Sequence, residues 1–295
     1  MRMRRLISTS IISPLRRSFS VQTTGQGLCS IHYPNNQEEV AFLQMNNAPV
    51  NSMNLATIKE MTSAIKLIES NPQTKGLILT SSCRVFSAGL DLSEMHNAST
   101  EFLDEFWGAF QELWVALYGT RLATIAAIAG ESIAGGCIIS LACDTRLLAS
   151  TANIGLNEAA FGLIAPPWTC NMMIDTIGRT KAEKALSLGT IFTSTDAMRV
   201  GLVDKLVFMS PEEDSSTKTE KMNAEALTEA QLWIKAPGRE GTKSLIRKSN
   251  LDALATKEQR MYDVKLFKDC VMDPHIQDSL GKYLASLKSK KKEEK

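Results

Sequence analysis

The 295-residue chain has only three histidines, His32, His96 and His275, widely separated, and no CxxC pair among its six cysteines (positions 29, 83, 137, 143, 170 and 270). That leaves no zinc-type ligand spacing and no redox dithiol, so neither a metal nor a structural disulfide is expected. Neither GxGxxG nor GxxxxGK[ST] occurs, which excludes nicotinamide and P-loop readings. Charge of one sign is also missing: 33 Lys and Arg meet 32 Asp and Glu, so no broad nucleic-acid affinity is expected. The longest apolar tract, Leu122 to Cys143, has the length of a membrane span, but it carries Glu131 and three glycines near its middle. A charge there is costly in lipid, so the tract is read as a buried strand, turn and helix. What remains is an ordinary globular composition, 44% hydrophobic and 6% aromatic, in a chain long enough for one large domain or two small ones.

Acidic residues are absent before Glu38, while Arg2, Arg4, Arg5, Arg16 and Arg17 and several Ser and Thr crowd the same stretch. This pattern is that of a mitochondrial transit peptide, assigned to residues 1–25, and implies a matrix location. Without those five arginines, 28 basic residues face 32 acidic ones. A frayed, solvated end is expected for Lys288–Lys295. The sequon Asn97-Ala98-Ser99 matters only in a secreted chain and is taken as chance.

The core is assigned to residues 26–210 and a helical region to 211–295. Leu28–Tyr33 and Val40–Met45, joined by Pro34-Asn35-Asn36, read as a hairpin. Leu55, Ile58, Met61, Ile65 and Ile68 recur at helical spacing, and the helix stops before Asn71-Pro72. A buried strand follows at Gly76–Thr80, then the segment Val85–Leu92, a helix near Glu101–Tyr118 and a strand at Ala123–Ala129. After the Ala134-Gly135-Gly136 turn come a helix at Cys137–Ala142 and a strand at Thr145–Ala149. The succession strand, strand, helix repeats. Gly162–Pro167 reads as an apolar turn, Ser194–Val200 as a short helix and Leu202–Phe208 as a strand. Beyond a polar segment at 211–220, helices are expected at about 221–235, 239–254, 256–271 and 275–287.

Three motifs carry chemistry. Phe86-Ser87-Ala88-Gly89-Leu90-Asp91 and Gly130-Glu131-Ser132-Ile133-Ala134-Gly135-Gly136-Cys137 are small-residue turns where backbone N–H groups can approach a ligand. Ile154-Gly155-Leu156-Asn157-Glu158 ends an apolar run on one carboxylate, an arrangement suited to proton transfer. Burial among Ile154, Leu156, Phe161 and Leu163 would raise the Glu158 pKa toward neutrality. A surface-loop carboxylate is the plainer alternative, and the two glycine turns count against it. Gly130–Ala134 lacks the final glycine of a nucleophile elbow, so a serine hydrolase is a poor fit. Asp144, after a helix, is read as structural.

In this order and spacing the motifs resemble the crotonase (enoyl-CoA hydratase/isomerase) superfamily from about residue 28 to residue 270. With Gly162-Leu163-Ile164-Ala165-Pro166-Pro167-Trp168, they look most like its Δ3,Δ2-enoyl-CoA isomerase branch. The resemblance implies an α/β, crotonase-like superhelix of repeated β-β-α units whose C-terminal helices assemble homotrimers. It implies a fatty enoyl-CoA thioester as substrate, coenzyme A being part of it, with no further cofactor. Glu158 falls at the position of the catalytic base, moving a proton from C2 to C4. The N–H groups of Ala88 and Gly135 are expected to form an oxyanion hole. Substrate-binding positions carry over to Ser87, Ala88, Gly89, Leu90, Asp91, Gly135 and Asn157, although Ser87 and Asp91 also suit local turn caps. Hydratases of the family carry a second Glu at the position of Ile138, so efficient water addition is not expected. A hydratase, a dienoyl-CoA isomerase or a non-catalytic acyl-CoA- or RNA-binding protein on the same fold are the alternatives. Trp107, Phe110, Trp114 and Trp168 are candidates for the acyl pocket and equally for the core.

Overall fold

A computed structural model describes residues 19–24, 26–34 and 37–293. Most of the leader assigned from sequence lies outside the described residues, but Phe19–Thr24 forms β1. It pairs antiparallel along its length with β2, Cys29–Pro34, so the sheet begins inside the span set aside as leader. β3, Val40–Met45, closes the expected hairpin, antiparallel to β2.

The repeat read from sequence is the organising unit. β3, the two-residue β4 (Ser52–Met53) and α1 (Leu55–Ser70) form the first copy. Asn54 caps α1 by accepting the Thr57 N–H at 2.8 Å, and the buried Ile58, Met61, Ile65 and Ile68 make its inner face. The second copy is β5 (Gly76–Ser81), β6 (Gly89–Leu90), the single turn α2 (Leu92–Met95) and α3 (Thr100–Gly119). β7 (Ala123–Ile128), β8 (Ser132–Ile133) and α4 (Gly135–Leu141) make the third. β9 (Thr145–Ala149) and β10 (Asn153–Gly155) lead into a 3₁₀ turn at Glu158–Phe161, then α5 (Pro167–Ile177) and α6 (Arg179–Leu188). The first strand of each copy joins one seven-stranded sheet, ordered β1-β2-β3-β5-β7-β9-β12 and parallel from β3 onward. The second strands make short side ladders, β4 with β6 and β8 with β10. β5, β7 and β9 are buried at every position, as parallel strands covered on both faces must be.

β11 (Ile191–Thr193), α7 (Ser194–Val200) and β12 (Lys205–Val207) complete the core. The helical tail is α8 (Ser215–Trp233), α9 (Arg239–Asp252), α10 (Lys257–Val271) and α11 (Pro274–Glu293). α8 starts about six residues earlier than its polar composition suggested, because Asp214 accepts the Thr217 N–H at 2.8 Å and caps it. Among the described residues no helix is long and apolar enough to cross a membrane.

Candidate active site

The side ladders hold the two glycine turns against each other. Ser87, fully buried, donates its hydroxyl to the Asn51 carbonyl at 2.7 Å and accepts the Gly89 N–H at 3.1 Å. The Asn51 amide in turn donates to Ser81 Oγ at 2.7 Å and to the Phe86 carbonyl at 3.1 Å. Gly89 has φ +94°, and a Cβ there would stand 2.9 Å from the Gly135 nitrogen. A Cβ on Gly136 would lie 2.5 Å from the Ser87 carbonyl oxygen. Only glycine permits that approach. Ala134, just before α4, is held at φ +51° with its N–H on the Gly155 carbonyl at 2.9 Å, a strained backbone at the junction of the two turns.

Which N–H groups remain for a ligand follows from the β4–β6 register. The Ala88 N–H donates to the Val50 carbonyl at 3.0 Å, and the Asp91 N–H to the Met53 carbonyl at 3.0 Å. Met53 is registered with Leu90, so the amide of Leu90 turns to the side away from β4. There it meets the first turn of α4: a Cβ on Gly135 would be 3.2 Å from the Leu90 nitrogen. The first N–H groups of a helix have no intrahelical acceptor, and the first bond closing α4 runs from Ile138 to Ala134 at 3.0 Å. Two backbone donors, Leu90 and Gly135, thus converge. The expected Ala88 donor is spent inside the fold.

Glu158 opens the 3₁₀ turn, which is tied by Leu163 N–H to the Glu158 carbonyl at 3.0 Å. Its Oε2 is buried and has no hydrogen-bond partner. Burial pushes the carboxyl up to about 7 against a weaker opposing bond from its own backbone. The side chain faces a cavity of about 60 Å³ that Leu90, Ile138, Leu163 and Pro167 share with it. α10 supplies the opposite wall through Asp263, Leu266, Phe267 and Cys270, and α3 contributes Trp107. A buried base, an apolar slot and two converging N–H groups can together take a proton from carbon beside a carbonyl and hold the resulting oxyanion.

An enoyl-CoA hydratase/isomerase family model matches residues 35–294. The chain belongs to that family. It is 39% identical to mouse mitochondrial enoyl-CoA delta isomerase 1 over 85% of each chain. Against the human protein of that name the identity is 40%, over 85% of this chain and 81% of the relative. The crystal structure of human mitochondrial delta3-delta2-enoyl-CoA isomerase superposes with a TM-score of 0.82 at 37% identity, covering 90% of this chain and 99% of that one. The α/β fold of repeated β-β-α units with a helical C-terminal region is thereby established.

Within this family frame the structure sorts the residues singled out from sequence. Gly135 and Leu90 sit where a carbonyl oxygen can meet their amides. Ser87 is sealed in the turn, where its hydroxyl holds Asn51 and Gly89 in place. Asp91 caps α2 by accepting Ser93 N–H at 3.0 Å, the plainer of its two readings. Gly89 is buried backbone, and Asn157 stands beside Glu158 outside the cavity wall, its carbonyl taken by the Ala160 N–H at 3.0 Å. Of the apolar wall expected around Glu158, only Leu163 lines the cavity. Ile154 and Leu156 turn into the core, and Phe161 packs edge-on against Tyr283 at 5.2 Å. Of the four large aromatics, Trp107 alone lines the cavity. Trp114 and Trp168, 4.8 Å apart, are core. The α10 wall was missed altogether, although Asp263, Leu266, Phe267 and Cys270 fall at helical spacing on one face.

Proposed function

We propose that this chain is a Δ3,Δ2-enoyl-CoA isomerase, converting 3-enoyl-CoA to trans-2-enoyl-CoA with no cofactor beyond the coenzyme A of its substrate. The observation that carries this reading is the unpartnered Oε2 of Glu158 beside a cavity that has Ile138 where a hydratase carries a second Glu. A carboxylate of this kind is ionised enough near neutral pH to accept a proton and basic enough to pull one from C2. The thioester oxygen then becomes an enolate, for which the Leu90 and Gly135 N–H groups are aimed. Each such donor contributes about 3–4 kcal/mol to the transition state. The same carboxyl, now protonated, returns its proton to C4. The apolar wall excludes water, which favours proton return over hydration.

Incubating the protein and Glu158→Gln with 3-hexenoyl-CoA, and following the conjugated product by absorbance, tests this directly. The variant is expected to lose about 10²–10⁴-fold in rate. Accumulation of 3-hydroxyacyl product would redirect the reading to a hydratase, and thioester binding without conversion to a non-catalytic protein. The mouse and human relatives are named as mitochondrial, which agrees with the arginine-rich, acid-free N-terminus. We place the enzyme in the matrix on that basis. Exposed Leu232, Leu245 and Ile246 on α8 and α9 offer an apolar face for the homotrimer we expect, and light scattering reads the assembly.

A further inference from the structure

Of the described non-glycine residues with positive φ, Asn51, Asn97 and Ala134, only the alanine lacks a polar side chain that eases such a backbone. Its φ of +51° and ψ of −123° lie in a region that glycine enters freely and a residue with a Cβ enters at a cost. The conformation is imposed from both sides. The Ala134 N–H donates to the Gly155 carbonyl at 2.9 Å and its carbonyl accepts the Ile138 N–H at 3.0 Å, so β10 and α4 leave no route to a relaxed backbone. Glycine would take this position without strain, and glycine does follow at 135 and 136. An alanine held here calls for a reason in what its methyl touches.

That methyl faces the other turn. A Cβ built on Gly89 would stand 2.9 Å from the Ala134 Cβ, 2.9 Å from the Gly135 nitrogen and 3.1 Å from the Ile133 carbonyl oxygen. The methyl therefore fills the space in front of the bare Gly89 backbone, and a glycine at 134 would leave that space empty. Leu90 follows Gly89 and Gly135 follows Ala134, so the contact lies one residue before each of the two converging donors. Any shift of one turn against the other carries an amide with it. With the methyl present, close packing fixes the gap; without it the two turns can approach each other. Donors for a developing oxyanion act through geometry that is set in advance. We propose that Ala134 is a positioning residue whose methyl spaces the Leu90 and Gly135 N–H groups, and that the protein gives up stability to keep it there. The inference rests on the isomerase reading above for the identity of the anion those groups receive.

Ala134→Gly separates a spacer from a merely structural alanine, because stability and rate should move in opposite directions. The thermal midpoint of the full chain is expected to rise by about 2–5 °C as the strain is released, even after the entropy that glycine adds to the unfolded chain. On 3-hexenoyl-CoA, kcat should fall about tenfold or more with KM within about threefold, the pattern of an interaction lost in the transition state. Isotope-edited infrared spectra of bound hexanoyl-CoA read the same donors without turnover. Their hydrogen bonds lower the thioester carbonyl stretch in the parent, and that shift should shrink in the variant. A midpoint that stays or falls overturns the inference, since Ala134 would then carry no strain. So does a variant with the parent's kcat, a loss confined to KM, or a loss of kcat with the carbonyl stretch unmoved from the parent's. A parent that lowers the stretch but does not isomerise would remove the isomerase reading; the variant's infrared shift then decides the spacer alone, a smaller shift supporting it and an equal one overturning it. No lowering of the stretch in the parent overturns the spacer whatever the turnover.

Discussion

Two buried acids show how differently one fold treats the same functional group. Asp144, between α4 and β9, is 5% exposed at its side chain and surrounded by cations: Lys243 Nζ at 3.0 Å and Arg247 at 2.7 Å, with the Thr124 N–H at 2.8 Å. Glu158, one repeat later, keeps a buried oxygen with nothing on it. Burial pushes Lys243 down to about 8 against the pull of Asp144, so that cluster spends its charge on joining α9 to the sheet. Burial pushes Glu158 up to about 7 with no cation to oppose it. Being buried does not make a carboxylate a base. Being buried without a partner does.

The largest effect that would break this contrast is on the paired acid. Asp144→Ala leaves Lys243 and Arg247 uncompensated and should lower the unfolding free energy by about 3–5 kcal/mol in denaturant titration, with the Glu158 chemistry intact in whatever remains folded. A loss under about 1 kcal/mol would mean the cluster is as weak as a surface pair. At the unpaired acid the sign reverses. The Glu158 pKa lies above the ordinary 4.5, so the native state binds more protons than the unfolded state between about 4.5 and 7, and stability falls as pH rises through that window. Glu158→Gln should therefore stabilise the protein by about 3 kcal/mol at pH 8, a gain that vanishes below about pH 4.5. Equal thermal midpoints for parent and variant at pH 8 would show that the carboxylate is not held at a cost. The smallest change sharpens the comparison: Ile138→Glu adds a like charge to the cavity and should move the acidic limb of kcat/KM upward by about one pH unit. An unmoved limb would place residue 138 out of electrostatic reach of Glu158.

The sequence carried the repeat and the base because both are local signals. A continuous apolar run marked β5, helical spacing marked α1, β7, β9 and α3 were read in their places, and Asp144 was already separated from Glu158 as structural. The side strands escaped because two residues, such as Ser52–Met53 or Gly89–Leu90, have no measurable period. The Ala88 donor was expected from the resemblance alone, without those strands in view. Which amide of a turn is free depends on the register of β6 against β4: the Ala88 N–H goes to the Val50 carbonyl, and the amide that turns away from β4 is that of Leu90, two residues on. α5 and α6 went unread because the glycine- and proline-rich stretch before them looked like a loop. Asp263 carried no local mark at all. Its partners Trp107 and Trp168 lie 156 and 95 residues away, and only the packing of α10 on the core brings them together.

The pH dependence of kcat/KM on 3-hexenoyl-CoA tests the central claim most directly, because it reports the ionisation of the free enzyme's base. Activity should rise with pH and reach half its plateau near the value of about 7 set by the burial of Glu158, with Glu158→Gln inactive across the range. A half-point near the ordinary 4.5, or a variant that keeps the parent's profile, would contradict a buried, unpartnered Glu158 as the base.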